Sequence, residues 1–266
     1  MLDDLFHKKP YIIGMIHLPP LPGSPNNVYN IDEILKFAYS EGKKLEEAKV
    51  DGIIIENLGD YPFFKDQIPS ITITSMTIIT REIRKNFNFD AVGVNVLRNG
   101  CIDAFSISHI TNSQFIRCNI LIGAYVTDQG IIEGKAAELL RLKRYLNSKV
   151  MIAADIHVKH AYPLYNLPIE IAAQDLAERG GADAVIVSGY RSNIPPSIDT
   201  VKKVKSSIKL PIVIGSGISL ENFKDFCKEA DGLIIGEKDF KENGITGGPS
   251  NKEAYKKLVE ECKNSS

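Results

Sequence analysis

Val150-Met-Ile-Ala-Ala-Asp-Ile-His-Val-Lys159 opens as an apolar run and closes on an acid, an imidazole and an amine. Its first half stays apolar instead of alternating, which predicts a strand covered on both faces, as in a parallel sheet. Seven more runs of this kind occur at 11–18, 52–57, 91–97, 115–121, 182–188, 211–217 and 232–236, and nearly all end in polar or Gly-rich loops. Eight βα units in about 250 residues is the size of a closed (β/α)8 barrel. The expectation is therefore an α/β chain forming a single TIM-barrel domain over residues 1–266. The rival, an open doubly wound sheet, would carry GxGxxG after its first strand, and none is found there.

Helical patterns fill the gaps. Ile31, Ile34, Leu35 and Ala38 keep the 3.6-residue period with Leu45 and Ala48 prolonging it, and Gly180-Gly181 stops a helix beginning near Pro168. Ser250 with Glu253 reads as a capping box for a last helix carrying Tyr255, Leu258, Val259 and Cys262. Residues 70–83 are rich in Ile and Thr, so propensity favours a strand. A helix is predicted instead, because Met76, Ile79 and Ile83 keep helical spacing and parallel strands need a crossover. Residues 127–134 read as a small hairpin or lid before the fourth helix, and the prolines of 18–25 as a stiff extended loop.

Composition narrows the function classes. Lys plus Arg number 32 against 33 for Asp plus Glu, a net charge of -1, so nothing argues for nucleic acid or an acidic membrane as partner. No apolar stretch approaches the roughly 20 residues of a membrane span, and the acidic start Met1-Leu-Asp-Asp-Leu-Phe lacks the pattern of a signal peptide. Cys101, Cys118, Cys227 and Cys262 form no CxxC and are expected as buried reduced thiols, which points to the cytoplasm.

In this barrel class ligands bind at the carboxyl ends of the strands. The polar residues expected there are His17, Glu56 with Asn57, Asn95 with Arg98, Arg117 with Asn119, then Asp155, His157 and Lys159, and finally Ser188, Ser216 and Glu237. Asp155, His157 and Lys159 are two residues apart, so a continuing strand would present them on one face, while His160 would point away. Desolvating three ionisable groups is costly unless they pair or do chemistry. Asp155, His157, Lys159, Glu56 and His17 are the catalytic candidates, and Asn95, Arg98, Arg117, Asn119 and Ser188 the substrate-binding ones. Glu56 and Arg117 also suit a satisfied structural pair inside a barrel. His17, Glu56, Asp155 and His157 have the chemistry to converge on a divalent metal, although no HExxH-type spacing supports it, and no cofactor is predicted. Gly215, Ser216, Gly217, Gly236 and Glu237 end the last two strands, where many barrels hold phosphate on backbone N–H groups. Glu237, however, puts a carboxylate where phosphate would sit.

Five segments carry a resemblance: Ile13-Gly-Met-Ile-His-Leu-Pro-Pro-Leu-Pro-Gly-Ser-Pro25, Asp51-Gly-Ile-Ile-Ile-Glu-Asn57, Val92-Gly-Val-Asn-Val-Leu-Arg-Asn99, Gly123-Ala-Tyr-Val-Thr-Asp-Gln-Gly130 and Ala154-Asp-Ile-His-Val-Lys-His160. Together they resemble the BtpA/SgcQ family. The resemblance implies a barrel similar to the ribulose-phosphate-binding barrels, with one family branch linked to photosystem I biogenesis and another to nucleosidase-like sugar metabolism. The sequence departs from the family pattern at Gly189-Tyr-Arg-Ser-Asn193, where a small Gly- and Thr-rich loop is usual, and at Glu237, where Ser or Thr is usual. Arg191 and Lys238 are the residues able to restore positive charge there.

The functional expectation is an enzyme acting on a small anionic substrate, a phosphorylated sugar or nucleoside-like metabolite, by acid/base chemistry, with nucleosidase-like hydrolysis favoured. An aldolase or isomerase would use Lys159 instead. From another class, a non-catalytic assembly factor would use an exposed apolar patch, for which Tyr61-Pro-Phe-Phe64 is the candidate; the same loop suits a lid or a homo-oligomer contact.

Overall fold

The computed structural model describes residues 1–189 and 194–264. Its strands, in chain order, are Tyr11–His17 (β1), Gly52–Glu56 (β2), Ala91–Asn95 (β3), Phe115–Cys118 (β4), Ala124–Thr127 (β5), Gly130–Glu133 (β6), Met151–Asp155 (β7), Ala161–Pro163 (β8), Ala184–Val187 (β9), Ile212–Ile214 (β10) and Gly232–Ile235 (β11). Eight of them close into a parallel barrel in the order β1-β2-β3-β4-β7-β9-β10-β11, which are the eight expected runs. The other three form an antiparallel sheet, β6-β5-β8, over the carboxyl end. The hairpin expected at 127–134 is thus real, and it recruits a strand from the loop after β7.

Helices Ile31–Glu47 (α1), Ser70–Asn86 (α2), Cys101–Thr111 (α3), Ala136–Tyr145 (α4), Ile169–Glu178 (α5), Ile198–Ser207 (α6), Phe223–Glu229 (α7) and Lys252–Asn264 (α8) surround the barrel. In α2 Thr74, Ser75 and Thr77 turn their hydroxyls onto carbonyls one turn back, Ser75 to Ile71 at 2.7 Å and Thr77 to Ile73 at 2.7 Å. Met76, Ile79 and Ile83 are buried on its inner face. Packing of that stripe outweighs the β-propensity of the segment. None of the described helices is long and apolar enough to cross a membrane.

Strand alternation divides the core in two. On β1, Ile12 and Ile16 join the layer between strands and helices, while Tyr11, Ile13 and Met15 fill the barrel interior. Ile54, Phe115, Ala153, Ile186, Val213 and Ile234 complete that interior floor, and Leu2, in the N-terminal turn Leu2–Leu5, closes it from below. Burying a side chain such as Phe115 fully is worth about 1.5–3 kcal/mol. The next inward position on each strand lies above this floor; there six strands bring polar side chains, and β10 and β11 bring Gly215 and Gly236.

Two expectations at the C-terminus are corrected. Asn251, not Ser250, caps α8, its Oδ1 accepting from the Ala254 N–H at 3.2 Å. Ser250 is committed elsewhere, its N–H and Oγ both donating to Glu41 at 2.9 and 2.7 Å, with buried Lys241 within 3.3 Å of its hydroxyl. Burial pushes the Lys241 ammonium down to about 8, against the opposing pull of Glu41. Cys227 on α7 and Cys262 on α8 are joined as a disulfide, whereas Cys101 and Cys118 are free and buried. Four reduced thiols were the basis for expecting the cytoplasm, and two of them do not fit.

Candidate active site

Alternation carries His17, Glu56, Asn95, Arg117, Asp155 and Ser188 to the inward layer above the apolar floor, one from each of six strands, and all are buried. A cavity of about 1030 Å³ opens over this layer, beneath the β6-β5-β8 sheet. Its walls include His17, Glu56, Arg98, Arg117, Asn119, Lys159, Gly236 and Glu237, with Tyr61, Phe63, Val126 and Tyr162 toward the rim.

The deepest feature is an ion pair between neighbouring strands. Arg117 Nε and Nη2 donate to the two Asp155 carboxylate oxygens, each at 2.9 Å, and Ser188 Oγ adds a donor at 3.3 Å. The Asp155 side chain has no exposed surface and that of Arg117 only 5%. Burial alone would lower the Arg117 guanidinium, but the Asp155 carboxylate overrides it and holds the group above its ordinary range. A carboxylate fixed by a bidentate guanidinium is a poor proton shuttle. Asp155, expected from sequence as an acid/base group, is in this geometry the anchor of Arg117.

The trio of Asp155, His157 and Lys159 does not share a face. β7 ends at Asp155, so the alternation argument stops there. His157 lines a separate cavity of about 570 Å³ against α5, where burial lowers its imidazole below the ordinary value. Lys159 turns back into the main cavity, its Nζ 3.8 Å from Glu237 Oε1. Burial lowers this ammonium too, with Glu237 opposing. His160, expected to point away, reaches the main cavity through a left-handed backbone (φ 59°). Nothing in the sequence signals that turn.

Across the barrel, Asn95 Nδ2 donates to Glu56 Oε2 at 2.6 Å, and His17 Nε2 stands 3.6 Å from Glu56 Oε1. Burial, reinforced by the charges of Lys241, Lys159 and Arg117, pushes His17 well below its ordinary value, so the imidazole is neutral at neutral pH. Arg98 donates from Nη2 to the Lys159 carbonyl at 2.5 Å. Several buried polar atoms of wall residues have no protein partner: His17 Nδ1, Arg98 Nε, Asn119 Oδ1 and Glu237 Oε2. Asn119 Nδ2 donates to the Asp155 carboxylate at 3.4 Å, which fixes the amide with its oxygen as the unpartnered atom.

The other expected groupings rearrange. His17, Glu56, Asp155 and His157 do not converge, and among the described residues no three His, Cys, Asp or Glu side chains are placed to hold a metal ion. Of the glycine loops, Gly215 and Gly236 line the cavity, but Ser216 and Gly217 do not. The Gly217 N–H is already bound, donating to Glu237 Oε1 at 2.9 Å. Lys238 is exposed and absent from the wall, and Arg191 lies outside the described residues. Tyr61, Phe63 and Tyr162 were not singled out as site residues, although the first two fall in the apolar loop noted from sequence.

Comparison with known proteins now bears on this geometry. The model of the BtpA family matches residues 7–264. The chain belongs to the BtpA family. Within reach of this BtpA-family chain are an uncharacterized protein of Methanocaldococcus jannaschii, 47% identical and covering 90% of this chain and 91% of the relative. The photosystem I biogenesis protein BtpA of Synechocystis is 40% identical, covering 84% of this chain and 78% of its own. Among solved structures, GGGPS from Thermoplasma volcanium aligns with a TM-score of 0.59 at 18% identity, covering 99% of this chain and 96% of that one. N-(5'-phosphoribosyl)anthranilate isomerase from Pyrococcus furiosus aligns with a TM-score of 0.56 at 15% identity, covering 96% and 98%. At those identities the likeness establishes that this BtpA-family chain has the barrel fold shared by these proteins.

Proposed function

We propose that this chain is an enzyme that acts on a sugar- or nucleoside-like metabolite by acid/base chemistry, with hydrolysis of a glycosidic bond as the favoured reaction. The observation that carries the reading is the open cavity lined by His17, Arg98, Asn119 and Glu237, each of which also carries a buried polar atom without a protein partner. A purely structural network satisfies its own members, because each orphaned polar atom costs about 1–3 kcal/mol. A small polar ligand, or ordered water in its place, supplies the missing partners.

Glu56 is the group best placed for proton transfer. Asn95 holds one of its oxygens at 2.6 Å, while the residue reaches the cavity beside neutral His17. In a hydrolysis its carboxylate would activate water and stabilise positive charge developing on a sugar ring. Lys159 would meet negative charge on the departing group. The aromatic rim of Tyr61, Phe63 and Tyr162 offers flat apolar surface to a base or other ring. A Schiff base on Lys159 is the second reading, favoured by its lowered ammonium. An assembly role, which the name of the Synechocystis relative suggests, would draw on exposed Tyr61 and Phe64 instead.

The test is a thermal-shift screen of sugars, nucleosides and their phosphates, followed by turnover assays on each ligand found. Ligand at 100 times its dissociation constant adds about 2.7 kcal/mol of stability. Glu56→Gln is expected to keep that shift while losing about 10²–10⁴ in turnover. If no compound stabilises the wild type, the enzyme reading falls and the assembly role takes its place.

A further inference from the structure

We infer that Glu237 is a built-in anion occupying the phosphate position of the barrel, so that this site selects a neutral, hydroxyl-bearing sugar unit over its phosphorylated counterpart. The inference rests on the small-metabolite reading above and names what that site takes. In barrels of this kind a phosphate sits on backbone N–H groups after the seventh and eighth strands. Here those strands are β10 and β11.

Three observations on independent atoms agree. First, Glu237 Oε1 accepts the Gly217 N–H at 2.9 Å, so the backbone donor that an incoming phosphate needs already holds an oxyanion of the chain itself. The nearest cation, Lys159, is also engaged with that carboxylate, at 3.8 Å.

Second, the glycines that suggest a phosphate loop are required for another reason. A Cβ on Gly217 would come within 2.2 Å of the Pro195 nitrogen, so the segment at 194–195 packs where an anion would approach. A Cβ on Gly215 would meet Ser188 Oγ at 2.6 Å, and one on Gly236 would meet His17 Cε1 at 2.8 Å. These glycines make room for protein side chains of the inward layer.

Third, beside the partnerless donor Arg98 Nε, two of the partnerless buried atoms on wall residues are acceptors. They are Glu237 Oε2 and Asn119 Oδ1, both on residues that line the cavity. Acceptors call for donors, which sugar hydroxyls supply and a phosphate dianion does not. A phosphate brought beside Glu237 would instead meet a like charge with little water to screen it.

Isothermal titration of wild type, Glu237→Ser and Glu237→Gln with ribose, ribose 5-phosphate and inorganic phosphate tests this. Wild type should bind ribose in preference to ribose 5-phosphate and give no heat with inorganic phosphate. Glu237→Ser frees the Gly217 N–H and removes the charge, and should shift the preference toward the phosphorylated sugar by about 100-fold while gaining affinity for inorganic phosphate. Should Glu237→Ser not fold, Glu237→Gln keeps an acceptor for Gly217 and must still relax the discrimination. Tighter binding of ribose 5-phosphate than of ribose by wild type overturns the inference, as does a folded variant with no gain for phosphate. If neither sugar binds wild type, it is the small-metabolite reading that fails, and the response of Glu237→Ser to inorganic phosphate still decides the role of Glu237.

Discussion

The floor and the mouth of this barrel are built from the same strands two residues apart, and they obey opposite rules. Below, Ile13, Ile54, Phe115 and Ile186 make an interior held by apolar contact alone. Above, His17, Glu56, Arg117 and Ser188 stand one inward step further along, and polar atoms in that upper region lack protein partners. The step from Phe115 to Arg117 or from Ile54 to Glu56 moves from residues that make the fold to residues that the fold carries at a cost. Arg117 and Asp155 sit at the border, since they lie in the polar layer, Arg117 on the wall of the main cavity, yet spend their charges on each other.

That contrast is open to breaking by substitution. The largest change in stability is expected for Phe115→Ala, which empties the centre of the floor and should cost about 4 kcal/mol in urea unfolding, with ligand affinity at the mouth preserved in the folded fraction. Asp155→Asn is expected to come next, at about 3 kcal/mol, because it leaves the Arg117 guanidinium buried against a neutral amide. An unchanged unfolding midpoint for Asp155→Asn would place Asp155 with the mouth rather than the floor.

The smallest effect per step of the experiment concerns Lys241, buried outside the barrel against Glu41 and Ser250, and it accumulates only as pH is raised. Its folded pKa of about 8 lies below the ordinary 10.5, so between those values the unfolded chain holds a proton that the native chain has released. Stability contributed by this group therefore rises with pH from about 8 to 10.5, by at most about 1.4 kcal/mol per pH unit. Unfolding curves of wild type and Lys241→Met should diverge in slope across that window, the variant being the flatter. Parallel slopes would mean that Lys241 is not the group titrating.

The barrel was legible because its signals are local. Eight apolar runs mark the strands, and the two-residue period places His17, Glu56, Asn95 and Arg117 on the inner face once the first inward residue is known. Pairing was not legible, since it depends on which strands become neighbours: Arg117 reaches Asp155 because β4 lies beside β7, with the β5-β6 hairpin looped out between them. His157 was misplaced because β7 ends at Asp155, beyond which alternation carries no information. The Glu237 to Gly217 contact spans two loops, of which the one at Gly217 packs against 194–195, and no pattern of residue types announces it. Ser250 had the composition of a cap but was claimed by Glu41, 209 positions away in the chain.

One feature of the lid also constrains how the molecule is able to diverge. β5 and β8 come from separate inserts, after β4 and after β7, and pair in a fixed register, Tyr125 with Pro163, Val126 with Tyr162 and Thr127 with Ala161. Val126 and Tyr162 face the main cavity, while Tyr125 and Pro163 face the cavity holding His157. A one-residue slip of either strand would turn that strand's own side chains to the opposite cavity and leave its partner's in place. The two loops are therefore expected to gain and lose residues in concert through descent, as one heritable unit carried in two distant stretches of the gene.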